Sequence, residues 1–85
     1  MISEYRFTRQ AVKGIARLPK SQQRRIINKL DYFVQSQDPL KYAKKMVDRQ
    51  LGEYRFRIGD YRVIFDVEQT FIKILAVGHR REVYR

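Results

Sequence analysis

A Gly59-Asp60 pair separates two runs in which apolar and polar residues alternate, and this constrains the chain more than any other feature. Before it, Tyr54, Phe56 and Ile58 alternate with Glu53, Arg55 and Arg57; after it, Tyr61, Val63, Phe65 and Val67 keep the same period of two. That period marks a half-buried strand. A two-residue loop that begins with glycine marks a hairpin. The register follows: Ile58 pairs with Tyr61, and Arg57 with Arg62. A four-residue loop would keep the same pairing. Successive side chains on a strand point to opposite faces. Tyr54, Phe56, Ile58, Tyr61, Val63 and Phe65 therefore form the core face, while Arg55, Arg57 and Arg62 share the other.

Like charges directly opposite one another destabilise a sheet. Folding alone gives little reason for two facing arginines with a third one step away. A bound polyphosphate gives one, because guanidinium groups fork onto phosphate oxygens. The bland alternative is a solvated surface whose arginines pair with Glu53, Asp66 or a partner.

The flanking segments complete an α+β plan. Phe71 through Val77 is almost wholly apolar and predicts a third strand buried on both faces, broken by Gly78. Upstream, Tyr5 and Phe7 alternate with Glu4 and Arg6 in a short first strand, and Thr8 reads as a helix N-cap. Ala11, Val12, Ile15 and Leu18 follow at helical spacing; Gly14 weakens that helix by about 1 kcal/mol, and Pro19 interrupts it. A second helix is predicted from about Lys20 to Ser36. Ile26, Ile27, Leu30, Phe33 and Val34 form its apolar stripe, with Lys20, Arg24, Arg25 and Lys29 on other faces. Asp38-Pro39 ends the helical region. Residues 39–52 are expected to be a loop or short turn under the sheet, kept basic by Lys41, Lys44, Lys45 and Arg49. The expectation is a single domain, residues 1–85, in the order β-α-α-β-β-β: an antiparallel sheet with an N-terminal helical hairpin packed on one face.

Charge narrows the partner. Nineteen Lys and Arg stand against nine Asp and Glu, a formal net charge of +10. Such a field draws in polyanions, and nucleic acid is the usual one for a basic domain. No apolar stretch approaches the roughly 20 residues that span a bilayer. The basic residues do not form one amphipathic helix, and MISEYRFTRQ has no signal-peptide core. A soluble, cytoplasmic protein with no membrane partner is expected. The chain has no cysteine and a single histidine, His79. With so few and so scattered carboxylates, no metal site and no cofactor are expected. The segment Gly78-His79-Arg80-Arg81-Glu82-Val83-Tyr84-Arg85 is dense in polar chemistry, and His79, Arg80 and Tyr84 are residue types suited to phosphoryl transfer.

Tyr54-Arg55-Phe56-Arg57-Ile58-Gly59-Asp60-Tyr61-Arg62-Val63-Ile64-Phe65, followed by Val77-Gly78-His79-Arg80-Arg81-Glu82-Val83-Tyr84, resembles the RelE/ParE toxin superfamily, and most of all its RelE branch. The element order resembles that family along the whole chain. The resemblance implies the toxin of a type II toxin–antitoxin system. Such a toxin is a metal-independent endoribonuclease that cuts mRNA in the ribosomal A site and is held inactive by a cognate antitoxin. It assigns phosphate binding to Arg55 and Arg57, charge stabilisation to Arg62 and Arg80, and base stacking with proton transfer to Tyr84. Well-known members carry lysines at the positions of Arg55 and Arg57, and an arginine cannot serve as a general base there. His79 is the second candidate for proton transfer. Arg81 is grouped with the phosphate contacts. Lys44, Lys45 and the basic face of the second helix would hold 16S ribosomal RNA without reading its sequence. A ParE-like gyrase inhibitor and a non-catalytic RNA-binding module remain the alternatives.

Overall fold

The computed structural model describes residues 1–84. Strand β1 (Glu4–Phe7) leads into α1 (Arg9–Ala16) and α2 (Lys20–Gln35). A turn of 3-10 helix (Pro39–Tyr42) precedes β2 (Ala43–Lys45), β3 (Tyr54–Ile58), β4 (Tyr61–Glu68) and β5 (Phe71–His79). The strands form one open sheet in the order β1-β5-β4-β3-β2. The architecture is the expected α+β, with two additions. β1 runs parallel to β5, which the helical hairpin permits because it returns the chain across the sheet before β5 is laid down. Part of the segment predicted as a loop is β2, a fifth strand antiparallel to β3.

The helices start where the sequence places them. Thr8 Oγ1 accepts the Ala11 N–H at 3.2 Å, capping α1, and its hydroxyl reaches the Leu75 carbonyl at 3.3 Å. Gly14 is there for close approach. A Cβ at that position would collide with the carbonyl oxygen of Val77, so glycine lets α1 lie directly on β5. The helix propensity it forfeits is exchanged for packing. α2 buries Ile26, Leu30 and Phe33 against the sheet. Phe33, Phe56 and Phe65 meet in a continuous aromatic stack with centroid spacings of 4.5 and 4.4 Å. Each fully buried aliphatic or aromatic side chain of this kind stabilises the fold by roughly 1.5–3 kcal/mol.

β5 departs from the prediction that it is buried on both faces. Ile72, Ile74 and Val77 are buried, and the residues between them are half-exposed. Ile64 pairs with Ala76 but Phe65 pairs with Ile74, leaving Leu75 as the extra residue of a bulge. The bulge shifts the alternation by one residue. Before it, even-numbered side chains face the helices; after it, Val77 does. Both phases had to be apolar, which is why the segment reads as a two-sided strand.

Candidate functional site

Gly59 takes φ +59°, the positive value required at the first loop position of a II′ hairpin. The β3–β4 register is the predicted one, with Arg57 opposite Arg62 and Ile58 opposite Tyr61. Arg55 pairs with Ile64 on one side and Lys44 on the other. Directly opposed residues share a face. Lys44, Arg55, Arg57 and Arg62 thus lie on the sheet face turned away from the helices. The alternation turns Lys45, opposite Tyr54, to the other face at the sheet's edge.

Arg62 is the centre of this face. It sits on β4 between β3 and β5 and is only 8 % exposed. Its Nη1 donates to the carbonyls of Gly59 and Tyr61, both at 2.9 Å. No carboxylate pairs with it among the described residues, where the ion pairs are Arg6–Glu4 and Lys73–Glu68. Glu53 and Asp66 are occupied elsewhere. Asp66 accepts the Glu53 N–H at 2.8 Å, and Glu53 accepts the Val67 N–H at 2.9 Å. Burial pulls the Arg62 pKa below that of a free arginine, the charge of Arg57 pulls it further, and Arg55 and Arg80 add smaller pushes the same way. Tyr84 opposes them, since a phenolate would attract the guanidinium. An arginine does not lose its proton in a protein. Burial is the larger cause of the lowering, and the neighbouring cations add to it.

The C-terminal turn supplies the rest. The Arg80 N–H donates to the Asp60 carbonyl at 2.8 Å, tying the turn to the hairpin loop. The Glu82 and Val83 N–H groups return to the His79 carbonyl at 2.8 and 2.9 Å. Gly78 pairs with Arg62, and Val83 folds back over it: a Cβ on Gly78 would meet the Val83 Cβ at 3.4 Å. The turn thereby delivers Arg80 and Tyr84 to Arg62.

His79 does not join this group. It pairs with Tyr61, so its ring lies on the helix side of the sheet, edge-on to Tyr61 at 5.7 Å. Its Nδ1 accepts the Arg81 N–H at 3.2 Å, which leaves the Arg81 side chain exposed on the turn. The structure thus brings together Arg55, Arg57, Arg62, Arg80 and Tyr84, with Lys44 beside Arg55, and leaves His79 and Lys45 apart. Sequence reasoning missed the burial of Arg62. The signal was its position on a strand flanked by two others.

The chain and its fold have counterparts among known proteins. Residues 5–84 match the family described as ParE toxin of type II toxin-antitoxin system, parDE. Toxin RelG of Mycobacterium tuberculosis is 33 % identical, over 94 % of this chain and 93 % of its own. The toxin–antitoxin complex RelBE2 of Mycobacterium tuberculosis contains a chain that superposes with a TM-score of 0.78 at 26 % identity, covering 94 % of this chain and all of that one. An archaeal RelE–RelB complex from Pyrococcus horikoshii gives a TM-score of 0.69 at 29 % identity, covering 98 % of this chain and all of that one.

Proposed function

The chain belongs to the RelE/ParE toxin superfamily of type II toxin–antitoxin systems, and from that premise we propose that it is an endoribonuclease that cuts mRNA in the ribosomal A site without a metal. The supporting observation is the buried Arg62, surrounded by Arg55, Arg57, Arg80 and Tyr84 with no internal counter-charge among the described residues. RNA carries its own nucleophile. The 2′-hydroxyl attacks the adjacent phosphorus, the bond to the 5′-oxygen breaks, and a 2′,3′-cyclic phosphate and a 5′-hydroxyl result. The protein aligns the backbone, stabilises charge on the phosphoryl oxygens and moves two protons. Arg62 and Arg80 are assigned the charge clamp, a role that preorganised donors fill well. Arg55 and Arg57 hold flanking phosphates, and Lys44 extends that contact. Tyr84 stacks on a base and carries a proton. His79 holds the turn by accepting the Arg81 N–H and does not touch the substrate. Lys45 and Arg81 contact ribosomal RNA through its phosphates. The ribosome supplies the alignment that a site this open lacks. A cognate antitoxin with an acidic segment neutralises the toxin by covering the arginine face or adding a strand to the exposed edge.

The family description matched by residues 5–84 carries the ParE name, and that favours gyrase inhibition as the second reading. One experiment separates the two: purified wild-type protein is incubated with programmed ribosomes while the 5′ ends of the message are mapped, and in parallel with gyrase and relaxed plasmid. Ribosome-dependent cleavage that Arg62→Ala and Arg80→Ala each lower by about 100-fold or more supports the ribonuclease. Blocked supercoiling with intact message refutes it.

A further inference from the structure

A second basic surface lies on the opposite side of the sheet, on the outer face of α2. Arg24, Arg25, Asn28, Lys29 and Tyr32 line a shallow open groove of about 540 Å³. Tyr32 is a large aromatic left 56 % exposed. Its ring meets that of Tyr42 at 5.7 Å, and the two hydroxyls are 3.4 Å apart. The ammonium groups of Lys29 and Lys41 stand over these rings, at 5.8 Å from Tyr32 and 5.1 Å from Tyr42. Exposed aromatic faces among cations are what single-strand-binding proteins use, because every base has a face to stack and every nucleotide a charge to neutralise.

The two basic surfaces are joined at the hairpin tip. A Cβ on Gly59 would meet Nη1 and Nη2 of Arg25 at 2.7 and 2.9 Å, so this guanidinium covers the loop from the helix side. The carbonyl of the same Gly59 accepts Nη1 of Arg62 from the other side. From Arg25 the helix carries the track through Lys29 to Tyr32, a further rise of about 10 Å. Asp31, within α2, does not interrupt it, being engaged by the Tyr5 hydroxyl at 2.6 Å; Asp60 stands exposed at the hairpin tip.

The geometry points to a single-stranded RNA path that starts at Arg62, rounds the hairpin tip over Arg25 and ends with a base stacked on Tyr32. The occupant is the strand being cut, and α2 holds a flanking nucleotide of it. This rests on reading the arginine face as an RNA site, and it does not require cleavage.

The test is fluorescence anisotropy of a labelled, non-cleavable 2′-O-methyl single strand of about twelve nucleotides, long enough for both surfaces. Wild type is compared with Tyr32→Ala, Tyr32→Phe, Lys29→Gln and Arg62→Ala. Tyr32 and Lys29 are exposed and Arg62 is buried, and circular dichroism checks that each variant folds. Tyr32→Ala is expected to weaken binding about tenfold and Tyr32→Phe to restore it. Lys29→Gln is expected to reduce the salt slope by about 0.7. If Arg62→Ala weakens binding while the Tyr32 and Lys29 variants bind as wild type does, the path is overturned and the arginine site survives. If Tyr32→Ala, Lys29→Gln and Arg62→Ala weaken binding but programmed ribosomes leave the message intact, the path stands and the ribonuclease falls. If Tyr32→Ala spares RNA binding but loses the antitoxin, α2 is a protein-docking face and the path is overturned.

Discussion

Arg62 carries a charge that the fold largely removes from water without supplying a counter-charge among the described residues. A buried, uncompensated charge is costly, and an apolar replacement of similar volume is often neutral or stabilising. Arg62→Met is therefore expected to unfold at an equal or higher urea concentration than wild type, within about 1 kcal/mol, while losing message cleavage. A large loss of stability would show that the bonds to Gly59 and Tyr61 outweigh the cation cluster. Tyr5 offers a contrasting case, a hydroxyl whose hydrogen bond is structural. Burial, and then its hydrogen bond to Asp31 and that residue's charge, push its pKa up to about 12. Its folded-state pKa lies above the unfolded value near 10. Its contribution is thus fully present below about pH 10 and is lost as pH rises through about 12. Urea midpoints measured across that window should fall with pH in wild type and less steeply in Tyr5→Phe. At neutral pH that variant should lose about 1 kcal/mol, below the roughly 1.5–3 kcal/mol of a bond to a charged group because the pair is partly exposed.

At the scale of elements, α1 and β5 make one unit. By propensity alone, Gly14→Ala should stabilise α1 by about 1 kcal/mol. The collision with the Val77 carbonyl reverses the sign, and a loss of about 1–3 kcal/mol is expected, as for an overpacked interior. Thermal unfolding of this variant decides between them; a raised midpoint would mean that α1 stands off the strand. The same strand shows what the sequence could and could not disclose. The β3–β4 hairpin was legible because its loop and its period are both local, and with it the shared face of Arg55, Arg57 and Arg62. β2 was hidden, being three residues of a lysine-rich edge that become a strand by pairing with β3 further along the chain. The bulge was hidden too, since it is set by how Ile64 and Phe65 pair across the sheet. That slip had consequences for the site. Plain alternation from Ile72 and Ile74 would send His79 to the arginine face and Gly78 to the core. The bulge exchanges them, so Gly78 lies opposite Arg62 and His79 opposite Tyr61. Which face His79 takes is thus set by cross-strand packing that the local sequence does not show.

Across the whole molecule, a net charge of +10 is distributed over both sides of one thin sheet. No helix among the described residues is long and apolar enough to cross a membrane, and the field is best matched by a flexible polyanion. Counterion release makes the strength of such a match measurable. For single strands the logarithm of affinity falls with the logarithm of salt by about 0.7 for each phosphate neutralised. If Arg55, Arg57, Arg62 and Arg80 each neutralise one, the slope should be near −3, and affinity should drop about 50-fold between roughly 50 and 200 mM salt. Contacts from α2 would steepen it. Replacing Arg55 and Arg57 together by glutamine should flatten the slope by about 1.4 and weaken every sequence alike, because backbone contacts carry no base information. A slope that stays the same in the double variant would mean that these arginines face solvent rather than phosphate. The burial of Arg62 would then have to be explained by the antitoxin, whose acidic segment would be the only anion the face was built to meet.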